Sequence, residues 1–249
     1  MTAVPHGCPT PDHDLELLLR GRLTVLGRLR GASNATLYCE VADGGRAAFC
    51  VYKPVAGERP LWDFPDGTLA GREVAAHAVS QALGWGIVPP TVYREDAPHG
   101  PGMVQWWITA DTAVDLVALA RDGTHRQLRL MAVFDAVINN SDRKIGHLLP
   151  TPDGHLYGCD HGVSFSAEYK LRTVLWQWAG QPLPAEAVDR LGVLREQLLD
   201  ADSAVSRVLA RHLTPQERYA TLRRVEVLHE HRVHPYPPED WPAVPWPPV

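Results

Sequence analysis

Two polar segments hold the residues most suited to chemistry. Residues 139–147 read NNSDRKIGH, and residues 159–162 read CDHG. The first segment follows a stretch with helical periodicity, and a predicted β-hairpin over residues 148–159 leads to the second. Asp142 therefore stands in a polar loop, and Asp160 stands at a strand end eighteen residues later. Gly162 lets the backbone turn sharply after Asp160, so we expect the two carboxylates to converge.

This pair of acids suits phosphate chemistry. In phosphoryl transfer, one carboxylate orients or deprotonates the attacking hydroxyl group, and another holds the divalent metal ion that bridges the nucleotide phosphates. Mg²⁺ prefers oxygen ligands, so Asp160 is the candidate metal ligand and Asp142 the candidate base. The alternative is that Asp142 is an ordinary turn or cap residue, as aspartates in polar loops commonly are.

The predicted elements place strands before helices. We expect strands at residues 23–30, 35–41, 47–53, 88–93 and 103–108, and helices at residues 14–20, 70–83, 112–121, 125–138, 185–199, 203–213 and 215–231. This order predicts an α+β, bilobal protein with a cleft between its lobes. Residues 14–109 would form a strand-rich lobe, residues 110–235 a helical catalytic lobe, and residues 236–249 a proline-rich tail. The tail either lies extended on the surface with Trp241 and Trp246 as anchors or is frayed.

Composition narrows the class of protein. The 249 residues fit one domain or one bilobal unit, and the net charge of −5 argues against a nucleic-acid partner. No apolar run is long enough to span a bilayer, and residues 1–14 lack the features of a secretory signal. The four cysteines show no CxxC spacing, so we expect free thiols. The sequence therefore predicts a cytoplasmic protein without an integral membrane segment.

The loop segments resemble a known group of kinases. NSDRKIGHLL (140–149) and GCDHGVSF (158–165) resemble the catalytic and metal-binding loops of phosphatidylinositol 3-/4-kinases and their atypical-kinase relatives, secretory-pathway kinases included. Over about residues 20–230, the chain is similar to an actinobacterial family of phosphatidylinositol 3-/4-kinase-like proteins. The resemblance implies a protein-kinase-like or phosphatidylinositol-kinase-like fold. It also implies ATP, Mg²⁺ or Mn²⁺, and transfer of a phosphoryl group to a hydroxyl.

The resemblance also assigns an ion pair. Lys53, which ends a predicted strand, looks like the phosphate-binding lysine, and Glu73 on the next helix looks like its partner. The chain has 21 arginines and 3 lysines, so a retained lysine suggests a need for a compact ammonium group. The alternatives are a solvated charge for Lys53 and, for Glu73, an acid that the helix dipole favours.

Two further regions follow from the resemblance. Residues 31–34, with Ser33 and Asn34, resemble a loop that covers phosphates; an ordinary turn is the alternative. Residues 105–109, with Gln105 and Trp107, would be the linker that contacts adenine.

One residue departs from the family pattern. His147 stands five residues after Asp142, where these kinases usually have asparagine. Histidine can ligate a metal ion, so His147 is a second candidate metal ligand beside Asp160. It is a softer ligand than an amide oxygen, so the change points to a Mn²⁺ preference, a single-metal site or weakened catalysis. The alternatives to a kinase are an inactive nucleotide-binding pseudokinase, an AMP transferase on the same fold, and a zinc hydrolase. The acceptor stays open among a protein, a lipid head group and a small molecule.

Overall fold

The structure is a computed structural model that describes residues 11–29 and 34–248. These residues fall into two units. The first comprises the described residues up to Val74 together with Pro89–Trp107, and the second comprises Ala75–Val88 together with the described residues from Ile108 onward. The lobe boundaries expected at residues 109 and 235 stay predictions.

The first unit is built on a five-stranded antiparallel sheet of order β1-β2-β3-β5-β4. Its strands are β1 (Arg22–Arg28), β2 (Leu37–Asp43), β3 (Arg46–Pro54), β4 (Thr91–Arg94) and β5 (Gly102–Trp106). The β2–β3 hairpin turns at Gly44 and Gly45, whose φ angles of 53° and 88° favour glycine. Alternate residues of β3 are buried because successive strand side chains point to opposite faces. Lys53 lies near the end of β3, opposite Met103 of β5.

Two helices accompany this sheet. Helix α1 (Pro11–Arg20) includes the buried residues Leu17 and Leu18. Asp14 lies inside α1, which begins three residues earlier than predicted, and pairs with Arg46 at 3.3 Å. Helix α2 (Leu69–Leu83) begins where the Glu58 carboxylate accepts the N–H groups of its first two residues, which satisfies donors that a helix start leaves open. Residues 69–74 of α2 belong to the first unit, and residues 75–83 belong to the second.

The second unit is mainly helical. It contains α3 (Leu116–Arg121), α4 (Arg126–Ile138), the hairpin β6 (Leu148–Pro150) and β7 (Leu156–Gly158), α5 (Ala185–Leu199), α6 (Ala204–His212) and α7 (Pro215–His231). Helix α3 begins later than predicted because Asp115 accepts two backbone N–H groups as its N-cap. Helix α7 begins with a capping box formed by Thr214 and Glu217.

Helix α4 lies at the centre of the second unit's core. Every residue from 130 to 138 is buried, so this helix is covered on all sides. It ends at Asn139, whose φ of 52° is left-handed, and the polar loop that holds Asp142 follows directly. The central helix therefore fixes where that loop begins.

Residues 234–248 form an extended tail without helix or strand. Trp241 packs against Lys170 and Arg172, whereas Trp246 is 88% exposed. Trp241 therefore anchors the tail as expected, and Trp246 does not. The observed elements confirm the α+β class. Within the described segments, no helix has both the length and the apolar character needed to cross a membrane.

Candidate functional site

A fully buried ion pair supports the loop that carries Asp142. Arg143 and Asp135 both have 0% exposed side chains. The guanidinium donates to both carboxylate oxygens of Asp135, with its Nε at 3.2 and 3.0 Å and its Nη2 at 2.8 Å. Burial by itself lowers the pKa of Arg143, but the Asp135 carboxylate outweighs this and holds that pKa above its usual value. This pair ties the loop to the central helix α4.

The same guanidinium reaches the segment that carries Asp160. Its Nη1 donates to the carbonyl of Cys159 at 3.1 Å, and its Nη2 lies 2.7 Å from Nε2 of the buried His161. An arginine has only donors, so Nε2 of His161 is the acceptor in this contact. Arg143 therefore holds the residues on both sides of Asp160.

Asn140 completes the support on the near side of Asp142. Its amide nitrogen donates to Asp135 at 2.9 Å, and its amide oxygen accepts the N–H of Asp142 at 3.0 Å. Both contacts are directional, so they fix the loop's path as well as its position. Asn140 thus supports the loop; it is more than an exposed turn residue.

Asp142 has the environment of a candidate base. Burial raises the pKa of its carboxyl group, and the negative charge of Asp160 adds to the rise. The cations Lys144 and Arg172 act in the opposite direction, and Lys144 Nζ lies 3.4 Å from the Asp142 carboxylate. Arg143, the residue after Asp142, binds the residues on both sides of Asp160, so one guanidinium links the two acid-bearing segments.

Asp160 is the more exposed of the two acids, with 49% of its side chain accessible. Its φ of 58° is left-handed, a conformation that aspartate adopts more readily than most non-glycine residues. Its oxygens and those of Asp142 suit Mg²⁺, which proteins often bind through one or two carboxylates together with phosphate oxygens. The described residues hold no group of three or more His, Cys, Asp or Glu side chains arranged for a metal ion.

His147 faces Asp160. Its Nε2 lies 3.5 Å from the Asp160 carboxylate, and its Nδ1 lies 3.4 Å from the backbone N–H of Lys144. Because that N–H can only donate, Nδ1 is the acceptor and the neutral ring carries its proton on Nε2. In this tautomer the ring presents a donor to Asp160, and a metal ion could bind Nε2 only after that proton is lost.

In the first unit, Lys53 and Glu73 form the expected ion pair. Lys53 Nζ lies 2.7 Å from Glu73 Oε1. Their side chains are 17% and 3% exposed, so this pair is far better shielded from water than a surface salt bridge. Strand β3 supplies the lysine, and helix α2 supplies the glutamate near its start.

The remaining candidates of the first unit have structural contacts. Asn34 accepts the backbone N–H of Arg59 at 2.9 Å through its side-chain oxygen, and Ser33 lies outside the described residues. The buried side chain of Gln105 donates to Thr91 at 2.9 Å. The Trp107 ring meets Tyr38 edge-on, with 4.8 Å between centroids. No contact of these side chains tests a role in nucleotide binding.

Two important residues were not predicted from the sequence. Asp135 carried a signal, because it is the one charged residue in the apolar run LMAVFDAVI of residues 130–138. A charge in a fully buried helix needs a partner, which predicts a buried ion pair. Arg172 carried no such signal, since its role depends on contacts with residues about thirty positions away.

Comparison with known proteins places the chain in a family. No model of a known protein family matches it. Protein Rv2133c of Mycobacterium tuberculosis is 43% identical, and the alignment covers 95% of this chain and 95% of that protein. The chain belongs to the family of this mycobacterial protein. This relationship extends over almost the whole chain, whereas the motifs that suggested a kinase occupy only two short segments.

Solved structures of other proteins share the fold of this Rv2133c family member. Hydra Fam20, solved with sugar, is similar with a TM-score of 0.60 and 15% identity, over 92% of this chain and 91% of that one. The Golgi casein kinase with Mn/ADP bound is similar with a TM-score of 0.59 and 15% identity, over 88% and 74%. The predicted kinase-like α+β fold is confirmed. The phosphatidylinositol-kinase subgroup stays a prediction.

Removal of Asp135 should destabilise the protein severely. We expect Asp135→Ala to lower the free energy of unfolding by about 3–5 kcal/mol, because it leaves the Arg143 charge buried without its partner. Chemical denaturation followed by tryptophan fluorescence measures this. The control is Glu186→Ala, which breaks a surface pair with Arg126 and should cost less than about 1 kcal/mol. Equal losses in the two variants would contradict the importance of the buried pair.

Asp142→Asn should not destabilise the protein at neutral or higher pH. The pKa of Asp142 is raised above its ordinary value of 3.8, so the folded state binds this proton more tightly than the unfolded state does. Ionisation of Asp142 therefore costs stability as pH rises above that value, and the amide avoids this cost. We expect the variant's Tm to match or exceed that of wild type at pH 8 in EDTA, with a difference that shrinks toward pH 5. A lower Tm at pH 8 would show that the carboxylate stabilises the fold.

Proposed function

We propose that this protein is an ATP-dependent phosphotransferase that moves the terminal phosphoryl group of ATP to a hydroxyl group. The observation that carries the proposal is that Arg143, next to Asp142, also binds the residues on both sides of Asp160, in a kinase-like fold. A fold alone does not imply a function, but two acids in these roles are what phosphoryl transfer requires. The Golgi casein kinase, which shares the fold, has been crystallised with Mn/ADP bound.

Asp142 is proposed as the base. Its raised pKa brings it nearer to the proton affinity that a base needs at neutral pH, while Lys144 and Arg172 keep its ionised form populated. In the proposed step, the acceptor hydroxyl gives its proton to the Asp142 carboxylate while its oxygen bonds to the terminal phosphorus. The bond from that phosphorus to the bridging oxygen breaks, and its electron pair leaves with ADP.

Lys53 is proposed to contact the phosphates, with Glu73 as its orienting partner. The shielded ion pair at 2.7 Å holds the ammonium in one place, which a flexible four-carbon side chain would not do alone. Asn34, Ser33, Gln105 and Trp107 remain proposed nucleotide contacts that rest on the family resemblance. Glu73 needs only to hold Lys53.

Asp160 is proposed to hold a divalent cation, with His147 as a positioning residue. A bound Mg²⁺ or Mn²⁺ would offset the negative charge of the phosphates. The oxygens of Asp160 suit either ion, whereas His147 turns a ring N–H toward that carboxylate. In this arrangement His147 orients the metal ligand and is not a ligand itself.

The acceptor needs a hydroxyl group, and a protein, a lipid head group and a small molecule all remain candidates. We place the reaction in the cytoplasm, as the sequence predicts. A nucleotide-binding pseudokinase is the second candidate, and His147 at the position of the usual asparagine favours it. An AMP transferase would instead add the mass of AMP to its target, which mass spectrometry distinguishes from a phosphoryl group.

Turnover should depend on Asp142 and Lys53. We expect purified wild-type protein with ATP and Mg²⁺ or Mn²⁺ to release γ-phosphate or label an acceptor. Asp142→Asn should lower kcat by about a hundredfold or more, which is typical for loss of a general base. Lys53→Met should abolish the ATP-induced rise in Tm as well as turnover.

Asp153→Asn is the matched control for Asp142→Asn, because Asp153 is an acid in the turn of the β6–β7 hairpin and should leave turnover unchanged. ATP-dependent stabilisation without turnover in wild type would support the pseudokinase. If wild type shows no ATP-dependent stabilisation and no turnover with either metal, both candidates are refuted.

The role proposed for His147 predicts how metal dependence changes. His147→Ala should weaken Mg²⁺ and Mn²⁺ binding alike, by about 10–100-fold, because loss of an outer-shell partner loosens the ligand for either ion. Titration of each metal against the ATP-induced Tm shift measures this. A loss confined to Mn²⁺ would show that the imidazole binds the metal directly.

A further inference from the structure

The proline-rich tail contacts a segment beside the Asp142 loop. The ring of Trp241 lies against two cations of residues 170–172: Lys170 Nζ is 5.6 Å and Arg172 Cζ is 5.4 Å from the ring centroid. Cations at this range are attracted to the negative face of an indole ring. Trp241 therefore holds two neighbouring side chains of one short segment.

A carbonyl group of the tail holds the same segment a few residues later. The oxygen of Ala243 accepts the backbone N–H of Thr173 at 3.0 Å and the indole N–H of Trp176 at 2.8 Å. One tail residue thus satisfies two donors of residues 170–176. Together with Trp241, it fixes both the backbone and the side chains of that segment.

Arg172 connects the tail-bound segment to the Asp142 loop through hydrogen bonds. Its backbone N–H donates to the Asn140 carbonyl at 3.0 Å, and its Nε donates to the Ser141 carbonyl at 2.7 Å. Its own carbonyl accepts the N–H of Arg143 at 3.1 Å. Three hydrogen bonds from one residue therefore bracket Asp142 on both sides.

The tail also contacts the loop directly. The carbonyl of Pro248 accepts the N–H of Ile145 at 2.8 Å, three residues after Asp142. Tail residues at both ends of the range 241–248 are thus engaged, one through Arg172 and one on the loop itself. An extended proline-rich segment suits this role because it has carbonyl acceptors but few N–H donors of its own to satisfy.

We propose that the tail is a clamp for the Asp142 loop and that Trp241 is its positioning residue, acting through Arg172. Its effect on turnover rests on the proposed function, whereas its effect on the loop does not. Proline-rich segments also serve as ligands for partner proteins. Here the ring of Trp241 and the carbonyls of Ala243 and Pro248 are already engaged by the same chain, which favours the internal role.

Hydrogen–deuterium exchange tests the clamp without any need for catalysis. In the full chain without nucleotide, we expect Trp241→Ala to speed exchange of the amides in residues 139–147 and 172–176 by about tenfold, as expected when a local restraint is lost. Trp246→Ala is the matched control, because that ring belongs to the same tail but is 88% exposed. Its exchange should equal that of wild type.

Kinetics add a second measurement, which a purely structural role of Trp241 would leave unchanged. Trp241→Ala should lower kcat severalfold with an unchanged KM for ATP, and Trp241→Phe should restore most of the loss because phenylalanine also offers a ring face to cations. If wild type shows no turnover, the proposed function fails while the exchange result still decides the clamp.

Two results would overturn the clamp. One is wild-type exchange of residues 139–147 in Trp241→Ala, and the other is an equal change in Trp246→Ala. If Trp241→Ala unfolds as a whole, Trp176→Phe decides, because it removes one donor to Ala243 and keeps an aromatic ring. We then expect faster exchange at residues 172–176 and 139–147, and unchanged exchange there would reject the proposal.

Discussion

The buried ion pair of Asp135 and Arg143 is the interaction on which the candidate site depends. Both side chains are inaccessible to water, so each would be costly without the other. Because Asp135 lies on the central helix α4, the side chain of Arg143, the residue after Asp142, is held against that helix. The same guanidinium binds the Cys159 carbonyl and His161, and it thereby holds the two acid-bearing segments in one arrangement. The buried guanidinium of Arg143 thus fixes the Asp142 loop against the segment that carries Asp160.

The other contacts of the loop serve the same end by different means. Asn140 fixes the start of the loop through hydrogen bonds, and Arg172 brackets Asp142 from the other side. Such a loop carries an acid whose burial raises its pKa, because the surrounding residues prevent it from turning fully into water. In the first unit, the shielded Glu73 carboxylate likewise holds the flexible charged side chain of Lys53 in one place. Rigidity of this kind is what electrostatic catalysis needs.

His147 shows how a departure from a family pattern gains a physical meaning. The sequence left open whether the imidazole replaces a metal ligand. The contact of its Nδ1 with a backbone N–H favours the tautomer in which its other nitrogen is a donor toward Asp160. The residue thereby acts on a candidate ligand. In the proposed site the candidate metal ligands are then carboxylate oxygens, which suit both Mg²⁺ and Mn²⁺.

The local pattern of the chain predicted the order of elements, the α+β class and the segments that hold Asp142, Asp160, Lys53 and Glu73, because periodicity, turn residues and short motifs are local properties of a chain. It did not determine the partner of Arg143, the bracketing by Arg172 or the exposure of Trp246. Those depend on contacts between residues far apart in the chain, such as Trp241 with Arg172. They are visible only in the folded chain, since long-range packing selects one partner among many of similar chemistry.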